Sequence, residues 1–398
     1  MSLTRLTRCT AVGCDARYRC SRIVQIGWKY ARMSARGRVA RGHVSGGTLP
    51  LEASARGLAK ERRMTFPSDR NRSSRRDLLR AAAGGLALAS TFPAGAAEHG
   101  KGIEPPMTPA VSFIEHRISH DGYMIYAREY PGQGPAYVML HGFPDNLHIY
   151  DYVVPYLTQA GRRVVVFDFL GFGQSEKIAP GSYPYTFDQQ VGDLAAVVDA
   201  LKIDKFIPVG HDSGGPCAAN YALDNPDRIA SLCLMNCYYA DSPSLRLPEI
   251  IEVFGDPWLK DLAQRFLSNP DKMDWLLRFQ DEHFQVNMPP NLKERFVGIL
   301  RPIVDGNFAS GAGPAFAQMT SQVRGSVAHN TTRLPDVRRF TPKVTLIIWG
   351  VLDPYLTAAT AAGIASEYPH ATVKPVQTGH WLMIDAPAEV AQILLMQT

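Results

Sequence analysis

Long apolar runs, abundant cysteine and internal repeats are all missing from this chain, and each absence excludes a class of protein. The run from Ala81 to about Phe92 is too short and too rich in Ala and Gly to span a bilayer. No stable membrane anchor is therefore expected. Only 6 of 398 residues are cysteine. Cys9, Cys14 and Cys20 have no partner histidines at metal-site spacing, and Cys217, Cys233 and Cys237 lie far downstream. Cys233 and Cys237 fall on one predicted strand, where four residues separate Cα atoms by roughly 13 Å, beyond disulfide reach. A disulfide-stapled fold is excluded, and the downstream thiols are expected to be buried and free. No motif for a metal or an organic cofactor appears, and none is expected.

The net charge of +5 is unevenly spread. Residues 1–63 carry 14 Lys and Arg against 3 Asp and Glu, and residues 64–97 carry 5 against 2, which leaves −9 for residues 98–398. The basic character thus belongs to the leader, and the remainder gives no sign of nucleic-acid binding. Ser74-Arg75-Arg76-Asp77-Leu78-Leu79-Arg80 precedes the apolar run, and Ala94-Gly95-Ala96 offers a small-residue cleavage site. Charged, apolar and small segments in that order resemble a twin-arginine export signal over 64–97, read by the export machinery. A periplasmic or secreted location is the expectation. Met64 is a natural start for such a signal, so residues 1–63 are expected to be a disordered extension that carries no fold.

The organising stretch of the chain is Phe206-Ile-Pro-Val-Gly-His-Asp-Ser-Gly-Gly-Pro216. Phe206–Val209 reads as a buried strand and Cys217–Leu223 as a helix, joined by a glycine-rich turn. A strand, a tight turn and a helix with small residues on each side of a central side chain form a nucleophile elbow. The register Gly210-x-Asp212-x-Gly214 places aspartate at its centre. In the alternative frame Ser213 is the nucleophile, which puts the bulky His211 at the small position.

Around that stretch, strands and helices alternate. Val111–Arg117 and Tyr123–Arg128 read as a hairpin turning at Asp121-Gly122. Strands are predicted at Ala136–Leu140, Arg163–Phe169, Ile229–Asn236, Val344–Trp349 and Thr372–Val376. Helices are predicted at Tyr152–Ala160, Thr186–Leu201, Ala358–Tyr368 and Pro387–Met396. Buried strands alternating with helices predict an α/β fold with a mostly parallel sheet covered by helices on both faces. Tyr238 to Pro342 interrupts this rhythm with helical spacing at Leu259–Leu267, Met273–Phe279 and Leu292–Val304. A hundred residues without a strand is too long for a plain loop, and 238–342 is expected to form a helical cap. It would sit between core segments 98–237 and 343–398.

Five motifs in order carry a family resemblance: His141-Gly-Phe-Pro144, Phe167-Asp-Phe-Leu-Gly-Phe-Gly-Gln-Ser175, Gly210-His-Asp-Ser-Gly-Gly215, Gly350-Val-Leu-Asp-Pro354 and Gly379-His-Trp381. From Val111 to Thr398 the chain resembles an α/β-hydrolase of the epoxide-hydrolase and haloalkane-dehalogenase branch. That resemblance implies Asp212 as nucleophile, His380 as base and Asp353 as its orienting acid, with Asp241 the fallback acid. The backbone N–H groups of Phe143 and Ser213 would form the oxyanion hole, and His141, Tyr238, Tyr239 and Trp381 would contact substrate. An aspartate nucleophile attacks an sp³ carbon bearing a leaving group and forms an alkyl ester, which water activated by His380 then hydrolyses. The expected substrate is a small, largely apolar molecule with a C–O or C–halogen bond, and water is the second reactant.

The chain departs from each subfamily in turn. Haloalkane dehalogenases follow the nucleophile with Trp, whereas Ser213 stands here. Fluoroacetate dehalogenases carry arginines just past the nucleophile, and this chain has none there. Epoxide hydrolases use two cap tyrosines, yet no tyrosine occurs from 240 to 342. Epoxide opening is favoured because it needs a proton donor that Tyr238 or Tyr239 can supply. A Ser213 esterase and a non-catalytic small-molecule-binding homologue are the alternatives.

Overall fold

A computed structural model of the chain describes residues 111–179, 181–340 and 344–396. The readings of 1–63 and 64–97 lie outside the described residues. Eight strands form one sheet in the order β1-β2-β4-β3-β5-β6-β7-β8. They are β1 (Ile114–His120), β2 (Tyr123–Tyr130), β3 (Gln133–Leu140), β4 (Arg162–Phe167), β5 (Phe206–Asp212), β6 (Leu232–Cys237), β7 (Thr345–Gly350) and β8 (Ala371–Val376). The hairpin β1–β2 turns at Asp121-Gly122, and β2 also runs antiparallel to β4. From β4 across to β8 all pairing is parallel.

β6 and β7 are buried at every position, and β5 at every position but its last. Because successive side chains point to opposite faces, complete burial requires cover on both sides. That explains why Phe206–Val209, Leu232–Met235 and Leu346–Trp349 read as continuous apolar runs rather than as alternating ones. The helices α1 (Val154–Gln159), α2 (Phe187–Ala200) and α3 (Gly214–Asp224) follow β3, β4 and β5. Cys217, Cys233 and Cys237 are buried free thiols, as a core without staples needs.

Between β6 and β7 the described residues contain no strand and eight α-helices. These are α4 (Glu249–Gly255), α5 (Lys260–Leu267), α6 (Pro270–Phe284), α7 (Pro290–Arg295), α8 (Arg301–Ala309), α9 (Gly313–Thr320), α10 (Val323–Thr332) and α11 (Leu334–Arg339). Four of them, α4, α9, α10 and α11, were not expected from spacing. They are short, and α9 and α11 carry the proline of their first turn where a helix break would be read. The core closes with α12 (Ala358–Glu367), α13 (Leu382–Asp385) and α14 (Pro387–Leu395).

This topology fixes where a site can form. The chain leaves β3 toward β4 and then returns to the other side of β3 to lay down β5, with Leu140 opposite Gly210. The crevice at that switch point, beyond the carboxyl ends of the strands, is where open α/β sheets bind ligands. The turn into α3 is crowded: a Cβ on Gly210 would lie 2.5 Å from the Gly214 carbonyl oxygen. Gly210→Ala should therefore destabilise the protein by about 1–3 kcal/mol, the usual cost of overpacking. A fall in the denaturant midpoint at unchanged slope would register it, and an unchanged midpoint would show that the turn can relax.

Candidate active site

Asp212 ends β5 with φ +48°, the left-handed region that a non-glycine residue rarely adopts. The next residue, Ser213, has ordinary helical angles (φ −65°, ψ −19°) and starts α3. The strained position of the elbow is thus Asp212. The Ser213 hydroxyl is buried without a hydrogen-bond partner. Asp212 is half-buried, and it lines a cavity beneath the cap.

Its carboxylate faces the turn after β3. The Phe143 N–H donates to Asp212 Oδ2 at 3.3 Å, and Ser213 adds a second backbone hydrogen bond. A Cβ on Gly142 would lie 2.5 Å from Asp212 Cβ and Oδ2, so only glycine lets this backbone come so close. Burial pushes the Asp212 pKa above the ordinary carboxylate value, opposed by His380 and by the two backbone N–H groups.

His380 follows β8. Its Nδ1–H donates to Asp353 Oδ2 at 2.7 Å, which leaves Nε2 as the free ring nitrogen. Asp353, in the turn after β7, is fully engaged: Oδ1 accepts from the N–H groups of Tyr355 (2.9 Å) and Leu356 (3.1 Å). Asn236 Nδ2 donates to its Oδ2 at 3.0 Å. Asn236 was not singled out from the sequence. At φ +26° it also accepts from Gly350 N–H at 2.7 Å and donates to Gly350 O at 3.1 Å. A polar residue inside the apolar run Leu232–Cys237, of a type that tolerates positive φ, was the available signal. Burial disfavours the charged form of His380, but the carboxylates of Asp353, Asp212 and Asp145 outweigh it, and its pKa is raised. The fallback acid Asp241 is exposed, and Asp353 is the partner of His380 Nδ1.

Other expected contacts divide. Phe143, Tyr238 and Trp381 line the cavity with Asp212 and His380. The Tyr238 hydroxyl is buried without a partner. The Trp381 indole N–H is committed to Asp145 Oδ2 at 2.9 Å. His141 is a correction: it is fully buried below the turn, outside the cavity lining. Its Nδ1–H donates to Gly142 O at 2.5 Å and its Nε2 accepts from Phe169 N–H at 3.1 Å. Burial lowers its pKa to about 4, so it is a neutral brace for two loops. Tyr239 is a second correction. It does not line the cavity, and its hydroxyl donates to Asn220 Oδ1 at 3.0 Å. Tyr355 was missed. It lines the cavity from the turn after Asp353, donates its hydroxyl to Glu249 and accepts from Gln280 Nε2 at 2.6 Å.

The cavity has a volume of about 60 Å³. An engineered apolar cavity of roughly 150 Å³ holds benzene, so the closed form has room for only a few heavy atoms. Its walls are mostly apolar, with Ile250, Leu277, Phe284 and Val304 supplied by the cap. Among the described residues no group of three or more His, Cys, Asp or Glu is arranged to hold a metal ion.

The family model for the alpha/beta hydrolase fold matches residues 135–387. Epoxide hydrolase B of Mycobacterium tuberculosis is 36% identical over 116 residues, covering 29% of this chain and 32% of that protein. The matched stretch thus spans about a third of that relative's length. Haloalkane dehalogenase 2 of Mycobacterium bovis is 25% identical over 269 residues, covering 66% of this chain and 88% of that protein. Among solved structures, a thermophilic esterase from Thermogutta terrifontis superposes with a TM-score of 0.56 at 19% identity, covering 72% of this chain and 97% of that one. At that identity the likeness is one of fold.

The charges around His380 give a titration test. Asp212 is one of the groups that favour the imidazolium, so Asp212→Asn removes a stabilising charge and should lower the His380 pKa. Titration of the His380 ring protons by NMR should show an apparent pKa above 6.5 in the wild type and a lower one in the variant. Equal values would mean that the two groups do not interact.

Proposed function

The chain belongs to the α/β-hydrolase fold family, and from that premise we propose that it is a hydrolase whose nucleophile is Asp212. It would open a C–O or C–halogen bond of a small, largely apolar molecule through an alkyl-enzyme ester. The observation that carries this reading is the elbow register. Asp212 holds the left-handed position and faces the cavity, while the Ser213 hydroxyl is buried in the start of α3.

The chemistry follows from the two carboxylate oxygens. Oδ2 is held by the Phe143 N–H, so Oδ1 is the oxygen free to attack carbon. As the bond between Oδ1 and the substrate carbon forms, the bond to the leaving group breaks and its electron pair departs with that group. His380, its Nδ1–H anchored on Asp353, then takes a proton from water through Nε2. The resulting hydroxide adds to the ester carbonyl, and negative charge builds on Oδ2 against the N–H groups of Phe143 and Ser213. Collapse breaks the Cγ–Oδ1 bond, and the departing alkoxide takes the proton back from His380 and leaves as the alcohol. The new carboxyl group, one oxygen now from water, ionises to restore the carboxylate.

An oxygen leaving group is favoured over a halide. Trp381 and Gln280, the cavity-lining indole and amide that could hold a halide, spend their N–H groups on Asp145, Glu249 and Tyr355. The Tyr238 hydroxyl has no partner, which supports a role for it in protonating an opening epoxide oxygen. Burial and the nearby Asp212 charge hold its pKa well above that of free tyrosine, so it stays protonated as a donor. Tyr355 is the second tyrosine of the cavity.

Turnover should be assayed against epoxides, haloalkanes and p-nitrophenyl esters, followed by His380→Gln with the best substrate. Ester formation needs only Asp212, whereas hydrolysis loses a general base worth roughly 10²–10⁴-fold. Intact-mass spectrometry should show one substrate-derived adduct, mapped to Asp212. An adduct on Ser213, or none with any accepted substrate, would overturn the aspartate reading.

We also propose export through the twin-arginine segment. Replacing both Arg75 and Arg76 by Lys keeps the charge but removes the recognised pair, so the precursor should be retained in the cytoplasm. Full export of the double variant, measured by cell fractionation, would exclude a signal of this type.

A further inference from the structure

Asn307 lies on the cap helix α8 and is 1% exposed. Its carboxamide reaches out of the cap into two loops of the core. Nδ2 donates to Pro144 O and to Asp145 O, each at 2.6 Å. Oδ1 accepts from Gly173 N–H at 2.8 Å and from Asn146 Nδ2 at 3.4 Å. Two donors and two lone pairs exhaust what an asparagine can offer. Three of the four partners belong to the turn 143–146, whose Phe143 N–H touches Asp212.

We propose that Asn307 is a positioning residue that makes the aim of the Phe143 N–H at Asp212 Oδ2 conditional on the closed cap. The inference rests on Asp212 being the nucleophile. The carbonyls it holds directly follow Phe143, so the orientation of that peptide group depends on them. At 3.3 Å the Phe143 hydrogen bond is already at the long end of the useful range, and a shift of a few tenths of an ångström weakens it. Among the described residues the turn has no other cap side chain with comparable contacts: the remaining hydrogen bonds from cap side chains to the core backbone go to Tyr185, Leu352, Ile384 and Asp385.

The two half-reactions feel this contact differently. Attack uses Oδ1, which Phe143 does not hold. Ester hydrolysis concentrates charge on Oδ2, where Phe143 N–H must be in place. Loosening the turn should therefore slow release of the ester more than its formation. Cap opening also withdraws Asn307, so water would attack the ester efficiently only with the cap closed.

The test compares the full-length protein with Asn307→Leu and Asn307→Asp, the latter keeping shape but losing both N–H donors. Asn307→Ser, which leaves room for water, replaces Asn307→Leu if that variant does not fold. With 1,2-epoxybutane or 1-bromobutane as probe, rapid quenching and intact-mass measurement give the rates of adduct formation and decay. Decay should slow by about tenfold, a fraction of what losing an oxyanion donor outright costs, while formation stays within about threefold. The adduct then accumulates and KM falls together with kcat. A merely structural role would lower both rates alike and leave the adduct fraction at the wild-type level, which would overturn the proposal. His380→Gln serves as the control. If it forms an Asp212 adduct while the Asn307 variants keep the wild-type ratio of rates, only this inference fails. The best substrate of the wider screen replaces a probe that is not turned over; if His380→Gln forms no adduct with any accepted substrate, the aspartate reading fails and this one with it.

Discussion

A carboxylate held inside a mostly apolar cavity, which the proposed reaction needs ionised, is the constraint on which the rest of this site depends. Removing such a group from water costs several kcal/mol even after relaxation, and burial does raise the Asp212 pKa. Against that cost stand the positive charge of His380, the largest opposing influence, and two backbone N–H groups. Gly142 brings the β3 turn within contact of the side chain, so that the Phe143 N–H can reach it. The elbow puts Asp212 at the start of α3, where backbone N–H groups and the helix dipole favour negative charge. His380 adds a positive charge when protonated, and Asp353 keeps that ring oriented. Each of these groups is useful only because β3 and β5 are neighbours at the switch point of the sheet.

Much of this was legible in the sequence because it is encoded locally. Continuous apolar runs betray strands covered on both faces, and the glycines around Asp212 betray a turn too tight for side chains. The elbow, the β7 turn and the Gly-His-Trp turn each sit immediately after a strand end, so their convergence follows from parallel topology. What was not legible depends on contacts between distant segments. Asn236 is one polar residue in an apolar strand, and only the pairing of β6 with β7 brings it to Asp353. Tyr355 faces the cavity because Asp353 caps its backbone. His141 and Tyr239 were misread for a related reason. Both neighbour functional positions in sequence, but their side chains turn into the core or toward Asn220.

The cap was read as helical without its true number of helices, and the reason is physical. Short helices with proline in the first turn, such as α9 and α11, bury few residues each and show little periodicity. Their stability comes from packing on the core and on each other, not from intrinsic preference. The same packing makes the cavity small and apolar. Its polar groups are mostly committed to one another, with Trp381 on Asp145 and Tyr355 on Glu249. The Tyr238 hydroxyl, by contrast, has no hydrogen-bond partner.

The electrostatics also suit a two-step reaction. In the free protein the Asp212 charge helps hold the His380 pKa above its ordinary value, which is unfavourable for a base that must be neutral. Forming the proposed ester on Asp212 would erase that charge. The imidazolium then loses one of its supporting carboxylates, and its pKa falls toward the range in which Nε2 accepts a proton from water. The sign follows directly: a raised pKa means the neutral ring is lost as pH falls through it, so lowering that pKa extends base activity to more acidic pH. Asp145, pushed up to about 7 by burial, is partly protonated near neutrality and adds less than a full charge to this balance. Asp353, held by Asn236, Tyr355 and Leu356, anchors the ring at Nδ1, away from the nitrogen that would act as base. On the proposed mechanism the nucleophile would set the protonation state of its own base, and ester formation itself would ready His380 for the hydrolytic step.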